Sequence, residues 1–273
     1  MIAPHPVSGL LPPDASDHLH VMAKAAQQAG AQLQKAFQNR HALQISEKTA
    51  GDFVSEADQM SETEIADCLS AAYPDYGWIG EETGTKPGNG TALTWVVDPL
   101  DGTTNFLKGL PHWAISIALC RDETPLAGLV YDPCKGELFC AEYGCRAYLN
   151  GTRISVSPET NLQAALFATG MPAGGRVTYL QDALADLDRL MPRCAGIRRA
   201  GAAALDFAYV AAGRIEGYWE RNLGPWDVAA GLLLVQEAGG TVERLWPERS
   251  IFQSGSFRVS NGHLAEALRQ HIT

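Results

Sequence analysis

Residues 95–106 read Trp95-Val96-Val97-Asp98-Pro99-Leu100-Asp101-Gly102-Thr103-Thr104-Asn105-Phe106, and this stretch decides the predicted fold and chemistry of the chain. It begins as a β-strand, because β-branched valines fit a pleated sheet. Pro99 has no N–H to donate and is expected to stop the ladder of hydrogen bonds. Asp98 and Asp101 would then lie close together, where two ionised carboxylates repel each other unless a cation is bound.

The turn that follows adds a second feature, a possible anion site. Gly102 allows the backbone N–H groups of residues 102–104 to face one concavity. Carboxylates that hold a divalent cation beside amides that hold an anion suggest metal-assisted phosphate chemistry. The Asp-x-x-Asp-Gly pattern alone has an ordinary alternative, an acidic turn between two strands, since Asp-Gly is common in turns.

Composition describes an ordinary globular protein of 273 residues, with 46% hydrophobic and 19% charged residues. This length allows one large domain or two closely packed halves. The net charge of −10 argues against broad nucleic-acid binding, which needs a basic surface. An anionic substrate would meet an unfavourable overall field, so a bound metal would have to supply local positive charge.

Nothing in the sequence predicts secretion or membrane insertion. No basic residue precedes Lys24, and no apolar run approaches the length of a membrane span. We therefore expect a cytoplasmic protein with reduced, mostly buried cysteines. Cys134, Cys140 and Cys145 are close in sequence, and a redox or metal-binding role for them is the alternative.

The N-terminal half begins with a proline-rich segment, residues 1–16, that is predicted to be a flexible arm. Apolar residues at three- and four-residue spacing predict a helix from Asp17 to about Asn39. A second helix is expected from Ser55 or Ala57 to Ala72. Several short strands with tight turns follow, up to residue 149, which favours an antiparallel sheet.

After Ser157 the pattern changes to alternating strands and helices. Strands are predicted at Leu166–Thr169 and Gly217–Glu220, and helices at Tyr179–Leu190, Ala202–Ala212 and Pro225–Ala238. We place a boundary near residue 155, between an N-terminal half (17–155) with the metal-binding loop and a C-terminal α/β half (156–273). The active site is expected between these halves.

Three further acidic elements accompany the first motif. Gly80-Glu81-Glu82-Thr83 follows an apolar pair, Asp58 stands near the start of the second helix, and Asp227 stands near the start of the Pro225 helix. Taken singly, Asp58 and Asp227 are most simply N-terminal helix caps, because the helix dipole stabilises a carboxylate there.

Together these motifs resemble the inositol monophosphatase family of metal-dependent, lithium-sensitive phosphatases. The resemblance extends from about residue 17 to 265 and rests on residues 80–83, 95–106 and 226–240. It implies an α/β (α+β) fold, the layered αβαβα sandwich of the sugar-phosphatase superfamily.

The resemblance also implies a set of metal ligands. Glu81, Asp98 and the carbonyl of Leu100 would hold one Mg²⁺, and Asp98, Asp101 and Asp227 would hold a second. A third, weak Mg²⁺ site at Glu81 is implied as well. Hard oxygen ligands of this kind suit Mg²⁺ better than zinc.

Catalytic roles follow from the same resemblance. Glu81 and Thr103 would orient the attacking water, and Asp58 would support that network. The N–H groups of Gly102 and Thr103 would hold the phosphate at the start of a short helix.

For the substrate, the resemblance implies that the carboxylate of Glu220 binds a hydroxyl group and that Gly201 and Ala203 contact the substrate. Ala202 departs from the family pattern, which often has Ser or Thr there, and so removes one hydroxyl from the segment that contacts the polyol. Arg199 could contact a second phosphate of a larger substrate or remain solvated.

The expected function is Mg²⁺-dependent hydrolysis of a small phosphate monoester, with myo-inositol 1-phosphate as the leading substrate. Histidinol phosphate, fructose 1,6-bisphosphate and a 3′,5′-bisphosphate nucleotide are alternatives on the same scaffold. A regulatory role through a protein or RNA partner is an alternative of another class. The family resemblance also implies a homodimer.

Overall fold

The computed structural model describes residues 7–49, 52–172 and 178–273. Its helices are α1 (Asp17–Gln38), α2 (Glu56–Ala72), α3 (Thr103–Lys108), α4 (Leu180–Leu190), α5 (Ala203–Ala211), α6 (Pro225–Glu237), α7 (Ile251–Ser254) and α8 (Ala265–His271). Its strands are β1 (Ile45–Thr49), β2 (Asp52–Ser55), β3 (Gly77–Gly80), β4 (Gly84–Lys86), β5 (Leu93–Asp101), β6 (Ala114–Arg121), β7 (Thr124–Asp132), β8 (Glu137–Glu142), β9 (Ala147–Leu149), β10 (Thr152–Ile154), β11 (Leu166–Thr169), β12 (Gly196–Arg198), β13 (Gly217–Glu220), β14 (Thr241–Arg244) and β15 (Phe257–Ser260).

The strands form two large sheets and one hairpin. The larger sheet has eight strands in the order β10-β9-β8-β7-β6-β5-β3-β4, and only its β3–β5 pair is parallel. The smaller sheet has the order β12-β11-β13-β15-β14, with β11 parallel to both of its neighbours. Strands β1 and β2 form the hairpin. The antiparallel sheet predicted for the N-terminal half is thus present.

Helices separate and cover the two sheets. Helices α1 and α2 pack on one face of the larger sheet, around Trp95 and Leu119. Helices α5 and α6 pack on its other face and share a core with the smaller sheet. Helices α4 and α8 cover the outer face of the smaller sheet. This order of layers confirms the predicted αβαβα sandwich, while the division near residue 155 stays a prediction.

Local sequence explains where the two long N-terminal helices begin. The side chain of Ser16 accepts the N–H of Leu19 at 3.3 Å and caps α1. Ser55 and Asp58 form a capping box at the start of α2. The predicted limits of both helices agree with the structure to within one residue or two.

The prediction that Pro99 stops the ladder is right only locally, because the pairing of β5 with β6 breaks after Asp98 and resumes at Asp101. Strand β5 continues through Pro99 to Asp101, and its register with β6 shifts between Asp98 and Asp101. A β-bulge leaves a residue out of the ladder, so a proline without an N–H is tolerated there. The bulge therefore sets the relative positions of the two aspartates.

Residues 7–16 of the predicted arm contact the rest of the chain, while the flexibility of the arm stays a prediction. Residues Val7–Leu10 form a 3-10 helix, and Leu11 is buried against the N-terminal core. The N–H of Ser16 donates to the Glu142 carboxylate at 3.1 Å, which ties this segment to β8. Residues 1–6 of the predicted arm lie outside the described residues.

No helix within the described ranges has both the length and the apolar composition needed to span a bilayer.

Candidate active site

Three aspartates meet at the interface between the larger sheet and the central helices. Asp98 and Asp101 lie in the bulged end of β5, and Asp227 is the third residue of α6. One carboxylate oxygen from each lies within 4.8 Å of the other two. No other group of three or more His, Cys, Asp or Glu residues in the part of the chain described here is close enough to share an ion. An all-oxygen set of this kind fits a hard divalent cation.

Backbone hydrogen bonds orient two of these carboxylates. Asp98 Oδ1 accepts the N–H of Leu100 at 2.9 Å across the bulge. Asp227 Oδ2 accepts the N–H of Gly224 at 2.7 Å, so it also closes the first turn of α6. The cap that the sequence suggested for Asp227 is therefore real, and it fixes the side chain beside the other aspartates.

Asp101 connects the larger sheet to helix α5 by capping that helix. Its Oδ1 accepts the N–H of Ala203 at 3.1 Å, and its Oδ2 accepts the N–H of Ala204 at 2.8 Å. Ala202, the N-cap residue of α5, has no side-chain acceptor of its own. Asp101 thus satisfies first-turn amides that the helix cannot pair internally. The sequence pattern did not reveal this contact.

Burial and mutual repulsion make this cluster unfavourable without a cation. Burial is the main cause of the raised pKa values of Asp98, Asp101 and Asp227, followed for Asp98 and Asp227 by the nearby charge of Glu81. The pKa of Asp101 rises to about 7, although its two helix amides oppose the shift. A divalent cation would favour the ionised form of all of them.

Glu81 lies beside this cluster rather than within the group of three. It lines the same cavity as Asp98 and Leu100, and its N–H donates to the carbonyl of Val97 at 3.2 Å. The structure therefore brings together every residue that the family resemblance nominated as a metal ligand.

A buried residue on α2, Glu62, holds the turn that carries Glu81. Its carboxylate accepts the N–H of Glu82 at 2.8 Å, and the N–H of Thr83 at 2.9 Å together with the Thr83 hydroxyl. Glu62 is not among the site residues predicted from the sequence. Its spacing could have indicated it, because it lies four residues after Asp58 and thus on the same face of α2.

We expect Glu62→Gln to raise the metal concentration needed for half-maximal activity by roughly tenfold, as is typical when residues behind metal ligands are changed. The side-chain NH₂ group of the glutamine would face a backbone N–H, and two donors cannot form a hydrogen bond. This would loosen the turn and lower the melting temperature. Glu56→Gln, at an exposed position on α2, removes the same charge and is the control. An unchanged metal titration in Glu62→Gln would show that the turn needs no carboxylate.

Thr103 and Asp58 form the hydrogen-bonded pair that the resemblance suggested. The Thr103 hydroxyl lies 2.9 Å from Asp58 Oδ1 and 3.1 Å from the carbonyl oxygen of Leu100. A hydroxyl has one proton, and the charged carboxylate is the stronger acceptor. Asp58 is itself held by the N–H and hydroxyl of Ser55, so the pair is rigid, and the Leu100 carbonyl stays available to a cation.

The aspartates open into a cavity of about 640 Å³ that extends toward the smaller sheet. Its lining includes the positions nominated for phosphate and substrate: Gly102, Thr103, Gly201, Ala203 and Glu220. The backbone N–H of Ala203 already donates to Asp101, so this amide is not directed at a substrate. Asn105, which the sequence analysis did not single out, donates to the carbonyl of Ala200 at 2.9 Å and so supports the loop before α5.

Glu220 lines the same cavity, and its charge is close enough to raise the pKa values of Asp101 and Asp227. The Tyr218 hydroxyl donates to its Oε2. A Cβ atom on Gly170 would lie 1.7 Å from Glu220 Oε1, so the carboxylate packs directly on a glycine. Both contacts fix Glu220 at the cavity wall.

The cysteines form no comparable site in the structure. Burial raises the pKa of the Cys134 and Cys140 thiols to about 12, which disfavours the reactive thiolate, and Cys145 is exposed. None of them belongs to a cluster able to share a metal ion among the described residues.

Fold and site together define a class of protein: phosphatases that bind divalent cations through carboxylates in a layered αβαβα sandwich. The chain belongs to the inositol monophosphatase family, because the model of that family matches residues 14–273. It is therefore a phosphatase of a metal-dependent family that acts on small phosphorylated substrates.

Individual relatives are similar over nearly their whole length. The inositol-1-monophosphatase of Rhizobium meliloti is 45% identical over 93% of this chain and 95% of its own. The Nus factor SuhB of Vibrio cholerae is 40% identical over 93% of this chain and 95% of its own. The crystal structure of the extragenic suppressor protein suhB from Bartonella henselae has a TM-score of 0.91 and 41% identity, covering 94% of this chain and 99% of that one.

Proposed function

We propose that this protein hydrolyses a small polyol phosphate monoester in a Mg²⁺-dependent reaction, with myo-inositol 1-phosphate as the leading substrate. The main support is one observation: three aspartates share a site with the Thr103–Asp58 pair, in a cavity that Glu220 also lines. The relatives named inositol-1-monophosphatase support the choice of substrate.

The ligand roles proposed for the metal site follow the family resemblance and fit this geometry. Glu81, Asp98 and the Leu100 carbonyl would hold one Mg²⁺, and Asp98, Asp101 and Asp227 the second, with a weak third site at Glu81. When bound, Mg²⁺ lowers the pKa of water and offsets the charge of the phosphate and the leaving oxygen.

The remaining roles belong to the chain itself. Glu81 and the Thr103 hydroxyl would orient the attacking water, and Asp58 would keep the Thr103 rotamer fixed. The first-turn N–H groups at Gly102 and Thr103 would hold phosphate oxygens, since amides at a helix start have no internal partner. Gly201 and Ala203 would shape the wall beside the polyol, and Glu220 would accept one of its hydroxyls. A homodimer, lithium sensitivity and a cytoplasmic location belong to the same proposal.

A phosphate-release screen tests this proposal. Inositol 1-phosphate, histidinol phosphate, fructose 1,6-bisphosphate and adenosine 3′,5′-bisphosphate would be compared at equal Mg²⁺ concentration. We expect the highest kcat/KM for inositol 1-phosphate. A higher value for any of the other three would replace the proposed substrate and retain the chemistry.

We expect Glu220→Gln to lower kcat/KM for inositol 1-phosphate about ten- to a hundredfold, because a hydrogen bond to a charged acceptor is worth about 1.5–3 kcal/mol. Hydrolysis of p-nitrophenyl phosphate, which has no hydroxyl, should change little. Gly170→Ala should have a similar effect, because the new methyl group would push the Glu220 carboxylate from its position. Glu266→Gln, on the exposed side of α8, is the control for the charge change. Equal losses for both substrates would assign Glu220 to the catalytic machinery or to the fold.

The relatives named Nus factor SuhB support a second candidate function, a regulatory role through a protein or RNA partner. The net charge of −10 makes broad RNA binding unfavourable and leaves a protein partner as the simpler form of this role. Complementation of a deletion strain with an inactive Asp101→Asn protein separates the two functions. Rescue by the inactive protein would favour the regulatory role.

A further inference from the structure

Asp206 is a second carboxylate that lines the cavity together with Glu220 and Arg199. It lies on α5, one turn after the start of the helix, and its residue is only 3% exposed. Among the described residues no donor makes a hydrogen bond to its carboxylate. Buried carboxylates normally have such donors, and a ligand in the cavity would supply one.

The surroundings of Asp206 fix its position on two sides. The preceding turn of α5 is held by Asp101, and the next residue, Phe207, packs against the rings of Tyr218 and Phe257. Tyr218 also orients Glu220 on β13. Asp206 and Glu220 are thus acceptors on two rigid, adjacent elements that face the same space.

Two neighbouring carboxyl groups suit a ligand that donates hydrogen bonds. Burial, and then the charges of Glu220 and Asp101, raise the pKa of Asp206, whereas Arg199 lowers it. Hydroxyl groups and ammonium groups are both donors of this kind. The polyol of the proposed substrate carries hydroxyl groups, so these are the donors that the pair would bind.

We infer that Asp206 is a substrate-binding residue, which together with Glu220 binds two neighbouring hydroxyl groups of the polyol and so selects substrates that carry a diol. This inference rests on the proposed polyol phosphatase function. Helix α5, which is capped by Asp101, would then also contribute to substrate specificity through Asp206.

The test uses Asp206→Asn in the full-length protein with Mg²⁺, because asparagine keeps the shape and replaces one carboxyl oxygen with an NH₂ group that cannot accept a hydrogen bond. We expect kcat/KM for inositol 1-phosphate to fall about tenfold or more, mainly through KM, since a hydroxyl acceptor is lost. For p-nitrophenyl phosphate the value should stay within about twofold. Inositol 1-phosphate, added as a competitor of p-nitrophenyl phosphate hydrolysis, should show an inhibition constant raised by the same factor. Asp188→Asn, at an exposed position on α4, is the matched control and should change neither value.

Each result bears on the inference. Equal losses for both substrates, or an unfolded protein in both Asp206→Asn and Asp206→Ser, would assign Asp206 to the fold and overturn it. A larger loss for histidinol phosphate than for inositol 1-phosphate would show an ammonium site and also overturn it. If the wild-type protein hydrolyses inositol 1-phosphate and the variant matches it, only the role of Asp206 fails. If the wild-type protein does not hydrolyse that substrate, the proposed function fails as well.

Discussion

Asp101→Asn is expected to lower kcat at least about a hundredfold and to leave a folded protein. The change keeps the shape of the side chain and removes one of the three carboxylate charges proposed to hold the second Mg²⁺. If this ion is bound more weakly, it stabilises the negative charge on the leaving oxygen less well. Because that charge develops only in the transition state, kcat falls. The measurement is steady-state phosphate release at saturating Mg²⁺.

The stability of this variant provides a second, independent readout. Asparagine has one carbonyl oxygen, so it can no longer accept the N–H groups of Ala203 and Ala204 with two separate oxygens, and part of the α5 cap is lost. At pH 8 the loss of a repelling charge stabilises the metal-free variant, whereas at pH 5 only the destabilising loss of the cap remains. We therefore expect the variant to have a lower melting temperature than wild type at pH 5, and this difference should become smaller at pH 8.

Asp188→Asn serves as the control here too, because it removes one charge far from the aspartate cluster. Near wild-type turnover in Asp101→Asn would exclude Asp101 from the metal ligands. It would leave the residue with a structural role only, as the cap of α5.

Removal of divalent metal is expected to abolish activity, and Mg²⁺ is expected to restore it. All the nominated ligands are oxygen atoms, and within the described ranges no sulfur or imidazole joins the cluster. Phosphate release would be measured in excess EDTA and after titration with Mg²⁺. Full activity in EDTA would contradict the proposed chemistry. Potassium chloride at matched ionic strength should not restore activity.

The raised pKa of Asp101 predicts that the stability of the metal-free protein depends on pH. The pKa of Asp101 rises from 3.8 to about 7 on folding without metal. Between these two pH values the folded protein binds more protons than the unfolded chain, so its free energy of unfolding falls as the pH rises. Metal-free protein should therefore melt at a lower temperature at pH 8 than at pH 5.

Added Mg²⁺ should reverse this trend, because it binds the ionised carboxylates. At about 100 times its dissociation constant, a ligand of the folded state adds about 2.7 kcal/mol. For a protein of this size that amount raises the melting temperature by roughly 5–10 °C. The gain should be largest at pH 8 and small at pH 5, where protons compete for the same oxygens. Equal gains at both pH values would show that Mg²⁺ binds elsewhere.

Much of this architecture follows from short-range patterns in the sequence. The apolar spacing along α1, the capping residues Ser55 and Asp58, and the glycine turn at Gly102 all act within a few residues of the chain. These patterns can be recognised without knowledge of the tertiary structure, because each concerns a single helix face, a single cap or a single positive φ angle. The acidic residues at strand and helix ends were therefore visible as candidate ligands before the structure was known.

The tertiary structure alone decided how these elements meet. Asp101 caps a helix that begins about a hundred residues later, Glu62 holds the turn of Glu81, and Gly170 makes room for Glu220. Each contact joins segments whose separation in the chain carries no periodic signal, and it forms only when the layers pack. The course of β5 through Pro99 has the same origin, because its register comes from pairing with β6 and not from local preference. Local patterns thus predict the elements and the kind of chemistry, whereas packing between distant segments determines which carboxylates face the cavity and which support them.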